Sequence, residues 1–131
     1  MSKTTILILI ATSAAIMGLA YYLRVNAAVS SEKAHQLFQG SRVVIDVRTF
    51  EEFQSGHLKE ATNVPLSEIE SRIATVVSDK NTPVLLYCRS GARSASAMET
   101  LLRLGYVNAV NLGSYDQARK MAEDSERSMT Q

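Results

Sequence analysis

Tryptophan is absent from this chain of 131 residues, and cysteine occurs once, at Cys88. A single cysteine excludes an internal disulfide and any metal site built from several thiolates. It leaves an oxidising compartment open, because a lone thiol persists there as a reactive group. An excess of either charge is also missing: 14 Lys and Arg face 13 Asp and Glu, and the basic residues are scattered rather than clustered. Without a basic patch, and with too few aromatic rings for base stacking, nucleic acid is not an expected partner. Internal repeats and low-complexity segments are lacking. Long uncharged runs are lacking too, with one exception at the N-terminus. What remains is enough for one domain with its own core.

The exception is residues 6–23, ILILIATSAAIMGLAYYL. Lys3 and the amino terminus precede it and Arg24 follows. A short basic start before an apolar core directs a chain to the secretory machinery. Two fates are open. Val25-Asn26-Ala27 offers a signal-peptidase site, with Ala28 as the first mature residue. Alternatively the run approaches the ~20 residues that span a bilayer and stays as a membrane anchor, with Tyr21 and Tyr22 at the interface. Either fate places the rest of the chain outside the cytoplasm, in the periplasm or on the outer face of the inner membrane, although Arg24 works against that orientation.

Beyond residue 28, apolar patterns alternate between helical and strand-like. Ala34, Leu37 and Phe38 have helical spacing, and Gly40 stops that helix. Val43-Val44-Ile45-Asp46-Val47 reads as a strand buried on both faces. Thr49 and Glu52 have capping-box spacing and predict a short helix over 50–54. Ser67 and Glu70 predict a second capping box, with Ile69, Ile73, Val76 and Val77 as the apolar face. Val84 to Tyr87 form the next strand. Ala95, Met98, Leu101 and Leu102 line a helix that Gly105 closes, and 107–112 read as a last strand. A weak stripe of Tyr115, Ala118, Met121 and Ala122 marks a terminal helix over 114–126. Strand and helix in alternation imply an α/β domain with a parallel sheet and right-handed crossovers.

The chemistry concentrates in Cys88-Arg89-Ser90-Gly91-Ala92-Arg93-Ser94. The cysteine falls at the C-terminal end of a predicted central strand, where ligands bind in open parallel sheets. The following helix aims its unpaired N–H groups and positive dipole end back at the loop, which favours an anion and a thiolate. Arg89 and Arg93 act in the same direction, and Gly91 lets the backbone turn its amides inward. Cys88 is the expected nucleophile. Arg89, Ser90, Gly91, Ala92 and Arg93 are the expected anion cradle, with Arg89 offering either its side chain or only its amide.

These residues resemble the active-site loop of single-domain rhodaneses, the thiosulfate sulfurtransferases. A second stretch strengthens the resemblance: Asp46-Val47-Arg48, Glu52, Gly56-His57-Leu58, Ala61 and Asn63-Val64-Pro65 follow the family's N-terminal signature in order and spacing. Ser71 to Ala74, through Asp79-Lys80-Asn81 to Tyr87-Cys88, further resembles the small exported phage-shock-protein-E type. The resemblance implies a rhodanese-like domain over 28–117, behind a signal peptide or anchor over 1–27 and ahead of a polar, partly helical tail over 118–131. It implies a small anionic sulfur donor, a cyanide or thiol acceptor, a persulfide on Cys88, and no need of a metal or organic cofactor. Asp46, Arg48 and Ser94 would support the loop. His57 reads as a turn residue and His35 as a surface residue. Two departures stand out. Glu60 precedes Ala61 where the family has glycine, and Gly113-Ser114-Tyr115 replaces a Gly-Gly with a nearby tryptophan, so the acceptor side of the rim differs.

Rival readings keep the cysteine but change its work. A rhodanese-fold phosphatase or arsenate reductase would need arginine six positions after the cysteine; Ser94 stands there, and Arg93 comes one residue early. A cysteine protease would need an oriented base, and only His35 and His57 exist. A persulfide carrier or redox-interaction module needs the same loop as the enzyme, so the sequence leaves that alternative open. An inactive scaffold is disfavoured by the intact cysteine. The sequence carries no sign of oligomeric state.

Overall fold

A computed structural model of the chain describes residues 2–26 and 29–131. The candidate cleavage junction at Ala27 and Ala28 lies outside the described residues. Ahead of it runs one helix, α1 (Lys3–Asn26). No residue of its apolar stretch Lys3–Ala20 is buried inside the folded protein. A helix apolar on all sides and unburied has the length and composition to cross a membrane.

The remaining elements are α2 (Ser31–Gln39), β1 (Val43–Asp46), α3 (Phe50–Gln54), β2 (Thr62–Asn63), α4 (Ile69–Val76), β3 (Val84–Cys88), α5 (Ala92–Arg103), β4 (Ala109–Ser114) and α6 (Tyr115–Met129). The four strands form one parallel sheet in the order β2-β1-β3-β4. This is the expected α/β architecture, with β3 inside the sheet and Cys88 at its C-terminal end.

Every residue of β3 is buried, which explains its unbroken apolar run. Alternate side chains feed two cores. Val84, Leu86 and Cys88 join Ile45, Val47, Ile73, Ala97 and Leu101 beneath α4 and α5. Leu85 and Tyr87 join Val44, Phe38, Ala34, Leu112 and Ala118 beneath α2 and α6. Gly105, at φ +92, ends α5: its N–H reaches Leu102 O and that of Tyr106 reaches Leu101 O.

The capping box at Thr49 forms as its spacing predicts. The box expected at Ser67 does not. Pro65, at φ −51, opens a 3-10 turn over Leu66–Glu68 before the helix proper, so Ser67 lies inside the turn. Neither the turn nor α4 has a side-chain cap. The last strand begins two residues later than its apolar pattern predicts. Asn108 is held by Asn81 O through its side chain at 2.7 Å and gives its carbonyl to Val84 N–H, while Val107 stays 62% exposed. The segment from 115 onward is one continuous helix packed on α2, capped by a reciprocal Ser114–Gln117 box. Ala118 and Ser125 are its buried positions, and a serine on the inner face explains why the apolar stripe is weak.

Candidate active site

The last residue of β3 delivers Cys88, and the chain then turns through Arg89 and Ser90 into α5. Gly91 makes that turn at φ +94, a left-handed conformation that favours glycine. A Cβ there would stand 3.3 Å from Gly113 Cα, so the loop lies directly on the end of β4. The turn aims the Gly91 N–H at Cys88 Sγ across 3.0 Å. The Ser94 hydroxyl lies 3.5 Å from the same sulfur. Burial pushes the thiol up, but hydrogen bonds from the Ser94 hydroxyl and from the amides of Ser94, Ser90 and Gly91 outweigh it and leave Cys88 below the ordinary thiol value. The nest of donors thus favours the thiolate form of the sulfur, with hydrogen bonds as the cause of the downward shift.

The two arginines do different things from each other. Arg89 and Ser90 are exposed at the crest of the loop, Gly91 is buried beneath it and Ala92 faces outward. Arg93 reaches away to α3 and is gripped there by Glu52, its Nη1 donating to Oε2 at 2.7 Å and its Nη2 to Oε1 at 2.8 Å. Hydrogen bonding to Arg93 is the main reason the Glu52 carboxyl is pulled down to about 2. Arg93 is still close enough to Cys88 to feel its charge, but both terminal nitrogens of its guanidinium are already engaged. α3 has no buried residue, and this pair is the tie that fastens it to the cysteine loop.

Asp46 and Arg48 form the second anchor. Asp46 is fully buried and Arg48 is 6% exposed. The carboxylate accepts the Arg48 backbone N–H at 2.9 Å and its guanidinium at 2.6–3.0 Å. Arg48 also donates to Gly56 O at 2.6 Å and lies over the rings of Tyr115 and Tyr87 at 4.6 and 5.6 Å. The pair therefore ties the end of β1 to the Gly-His-Leu turn and to the start of α6, rather than touching the sulfur. His57 belongs to that turn: Nδ1 pairs with Phe53 O at 2.8 Å, and the ring stacks on Phe53.

Two relationships were not visible in the sequence. Thr49 and Glu52 announced a cap, not the ion pair that Glu52 makes across the loop. Asn111 carried only a faint signal. It is 2% exposed on β4, where its Oδ1 accepts the Ser94 hydroxyl at 2.7 Å and the Gly113 N–H at 2.9 Å. A polar residue inside an otherwise apolar strand was the one available hint. A groove of about 570 Å³ opens elsewhere, between α2, the turn after α3 and α6, and Cys88 does not line it. Among the described residues, no cluster of three or more His, Cys, Asp or Glu is arranged to hold a metal ion.

Residues 30–120 match the family model of the rhodanese-like domain. The thiosulfate sulfurtransferase PspE of Escherichia coli is 46% identical over 69 residues, which cover 53% of this chain and 66% of that protein, just under two thirds of its length. Among solved structures, a rhodanese with anions from E. coli superposes with a TM-score of 0.58 at 42% identity, covering 59% of this chain and 91% of the other. The human single-domain sulfurtransferase TSTD1 gives 0.60 at 26% identity, covering 71% and 95%.

Proposed function

This chain belongs to the rhodanese-like domain family, and from that membership we propose that it is a thiosulfate sulfurtransferase acting through a persulfide on Cys88. The observation that carries the reading is the sulfur under the Gly91 N–H at 3.0 Å, inside a loop whose amides converge on it. In the first half-reaction the Cys88 thiolate attacks the outer sulfur of thiosulfate. A new S–S bond forms to Cys88, the S–S bond of thiosulfate breaks, and sulfite leaves with the electron pair. A thiolate and a dianion become a persulfide anion and a sulfite dianion, so charge is conserved. In the second half-reaction cyanide or a thiolate takes the outer sulfur and the Cys88 thiolate is regenerated. This is covalent catalysis in two displacements.

Each loop residue has a part in this reading. The amides of Ser90, Gly91 and Ser94 stabilise negative charge on sulfur without reorganising, because the backbone already points them inward. Arg89, exposed at the crest, meets the incoming anion. Ala92 starts α5 and brings the positive end of its dipole to the site. Arg93 holds the loop to α3 through Glu52 and adds long-range positive charge. Ser94 supports the sulfur from below, and Asp46 with Arg48 fixes the rim. Phosphoryl transfer is disfavoured, because the loop closes with Ser94 where a phosphate-wrapping arginine would stand.

α1 supports export: an apolar helix at the N-terminal end, with no residue of its apolar stretch buried, fits a domain in the periplasm or held at the outer face of the inner membrane. Fractionation of the native host and sequencing of the N-terminus of the mature protein distinguish cleavage from anchoring.

The deciding experiment uses the full chain in detergent micelles with thiosulfate and cyanide. Thiocyanate should form, Cys88→Ser should abolish it, and intact mass after thiosulfate alone should rise by one sulfur that cyanide removes. Activity retained by Cys88→Ser would overturn the mechanism. A persulfide that forms without turnover would instead make the protein a sulfur carrier.

A further inference from the structure

Beneath Cys88 lies a polar cluster whose protons do not suffice for all its acceptors. Ser94 is fully buried, and its hydroxyl has one hydrogen. Four acceptors compete for it: Asn111 Oδ1 at 2.7 Å, Gly91 O at 3.0 Å, and Cys88 Sγ and Gly113 O at 3.5 Å each. The orientation of the Asn111 amide is fixed from both sides. Its Oδ1 takes the Gly113 N–H at 2.9 Å and its Nδ2 gives to Gly91 O at 3.3 Å. Oδ1 therefore faces Ser94 whichever state the cysteine is in.

The shortest contact decides the resting arrangement. With Cys88 as a neutral thiol, sulfur is a weak acceptor and the Ser94 proton belongs to Asn111. With Cys88 as a thiolate, the charged sulfur becomes the strongest acceptor within reach. The hydroxyl must then leave Asn111 to serve it. Oδ1 is not orphaned by that change, because it keeps the Gly113 N–H. We propose that Asn111 is a positioning residue for the sulfur chemistry: it competes with Cys88 for the single proton of Ser94 and so restrains the nest from over-stabilising the thiolate.

The restraint has a use. A thiolate held by too many donors is abundant but poorly nucleophilic, since reactivity of the anion falls with its basicity. The amides of Ser90, Gly91 and Ser94 are fixed in the backbone and cannot be withdrawn. The Ser94 hydroxyl is the one donor that turns, and Asn111 sets how much of it the sulfur receives. The charged groups on the surrounding elements have partners of their own: Arg93 on α5 pairs with Glu52 on α3, Asp46 pairs with Arg48 at the end of β1, and Arg89 is exposed on the crest.

The experiment measures the ultraviolet absorbance of the Cys88 thiolate against pH in the full chain in detergent micelles. Ser94→Ala should raise the titration midpoint. Asn111→Ala should lower it by about one pH unit, and above the midpoint the rate of thiosulfate attack should fall about threefold, at the ~0.4–0.5 sensitivity of thiolate reactivity to basicity. In the Ser94→Ala background, Asn111→Ala should shift the midpoint no further, because the two act through one proton. An unchanged or raised midpoint in Asn111→Ala, or an equal shift in both backgrounds, overturns the proposal. The wild-type chain supplies a test that does not depend on a variant folding. The side-chain amide resonances of Asn111 should move with the Cys88 titration, and in Ser94→Ala they should not; resonances that stay still in the wild type refute the exchange. The proposal rests on Cys88 as the reacting sulfur, yet it fails separately from the sulfurtransferase reading. A chain that makes no thiocyanate but shows the opposed, non-additive midpoints keeps the Asn111 competition and loses the reaction.

Discussion

Replacing Glu52 by glutamine removes the charge that holds Arg93 and tests whether the loop is clasped to α3 by an ion pair. Both Glu52 carboxylate oxygens meet Arg93, and Oε2 also accepts the Thr49 N–H at 3.0 Å. Hydrogen bonding to Arg93, against the opposing effect of burial, takes the carboxyl from 4.5 to about 2. A carboxyl depressed in the folded protein contributes stability above its unfolded value and loses it as pH falls toward the folded one. The window here runs from about 4.5 down to about 2. The ceiling is roughly 3.4 kcal/mol at ~1.36 kcal/mol per pH unit. The Arg93 and Glu52 side chains are 34% and 28% exposed, however, and screening by water reduces such a pair to about 1 kcal/mol. Urea unfolding of the full chain in micelles, followed by tyrosine fluorescence, reads this out. Near neutral pH, Glu52→Gln should be weaker than wild type by about 1 kcal/mol, and by about pH 3 most of that difference should be gone. Arg93→Gln should behave alike, and the double variant should add little. Parallel stability curves for wild type and Glu52→Gln across that window would refute the clasp.

Asp46→Ala leaves the Arg48 guanidinium buried without its counter-charge and should cost about 3–5 kcal/mol in urea unfolding; a loss below about 1 kcal/mol would show that water replaces the carboxylate. Gly91→Ala forces a side chain into a left-handed position at about 1–2 kcal/mol, with its Cβ against Gly113. It should slow both alkylation of Cys88 and thiocyanate formation, and unchanged alkylation would mean the nest tolerates the side chain. Ser125→Ala removes a buried hydroxyl that has no hydrogen-bond partner among the described residues and should raise stability by about 0.5–1 kcal/mol; destabilisation in thermal unfolding would contradict it.

What the sequence disclosed and what it concealed divide along physical lines. β1 and β3 were legible because strands buried on both faces must be apolar throughout. The cysteine loop was legible because its function depends on local backbone and on glycine at one position. β2 was not, since two residues with Thr62 exposed leave no pattern. Ser67 misled because a capping box describes only the four residues it spans, and Pro65 upstream had already begun the turn. Glu52 and Asn111 were missed as site residues for a shared reason. Their partners, Arg93 and Ser94, lie 41 and 17 residues away, and only the folded sheet brings them together.

The last strand and the last helix meet without a linker. Ser114 pairs with Cys88 as the end of β4 and in the same position caps α6. The two residues before it are committed as well: Leu112 is fully buried in the core, and Gly113 sits at φ +91 beneath the loop. Asn111 and Tyr115, on either side, hold the Ser94 hydroxyl and the Arg48 guanidinium. Five consecutive residues thus carry five separate obligations, and none can drift without disturbing a neighbour. An insertion or deletion between Asn111 and Tyr115 would displace at least one of these contacts, whereas the outward face of α6 carries none of them. A divergent relative that alters its length there would have to rebuild the floor under its cysteine.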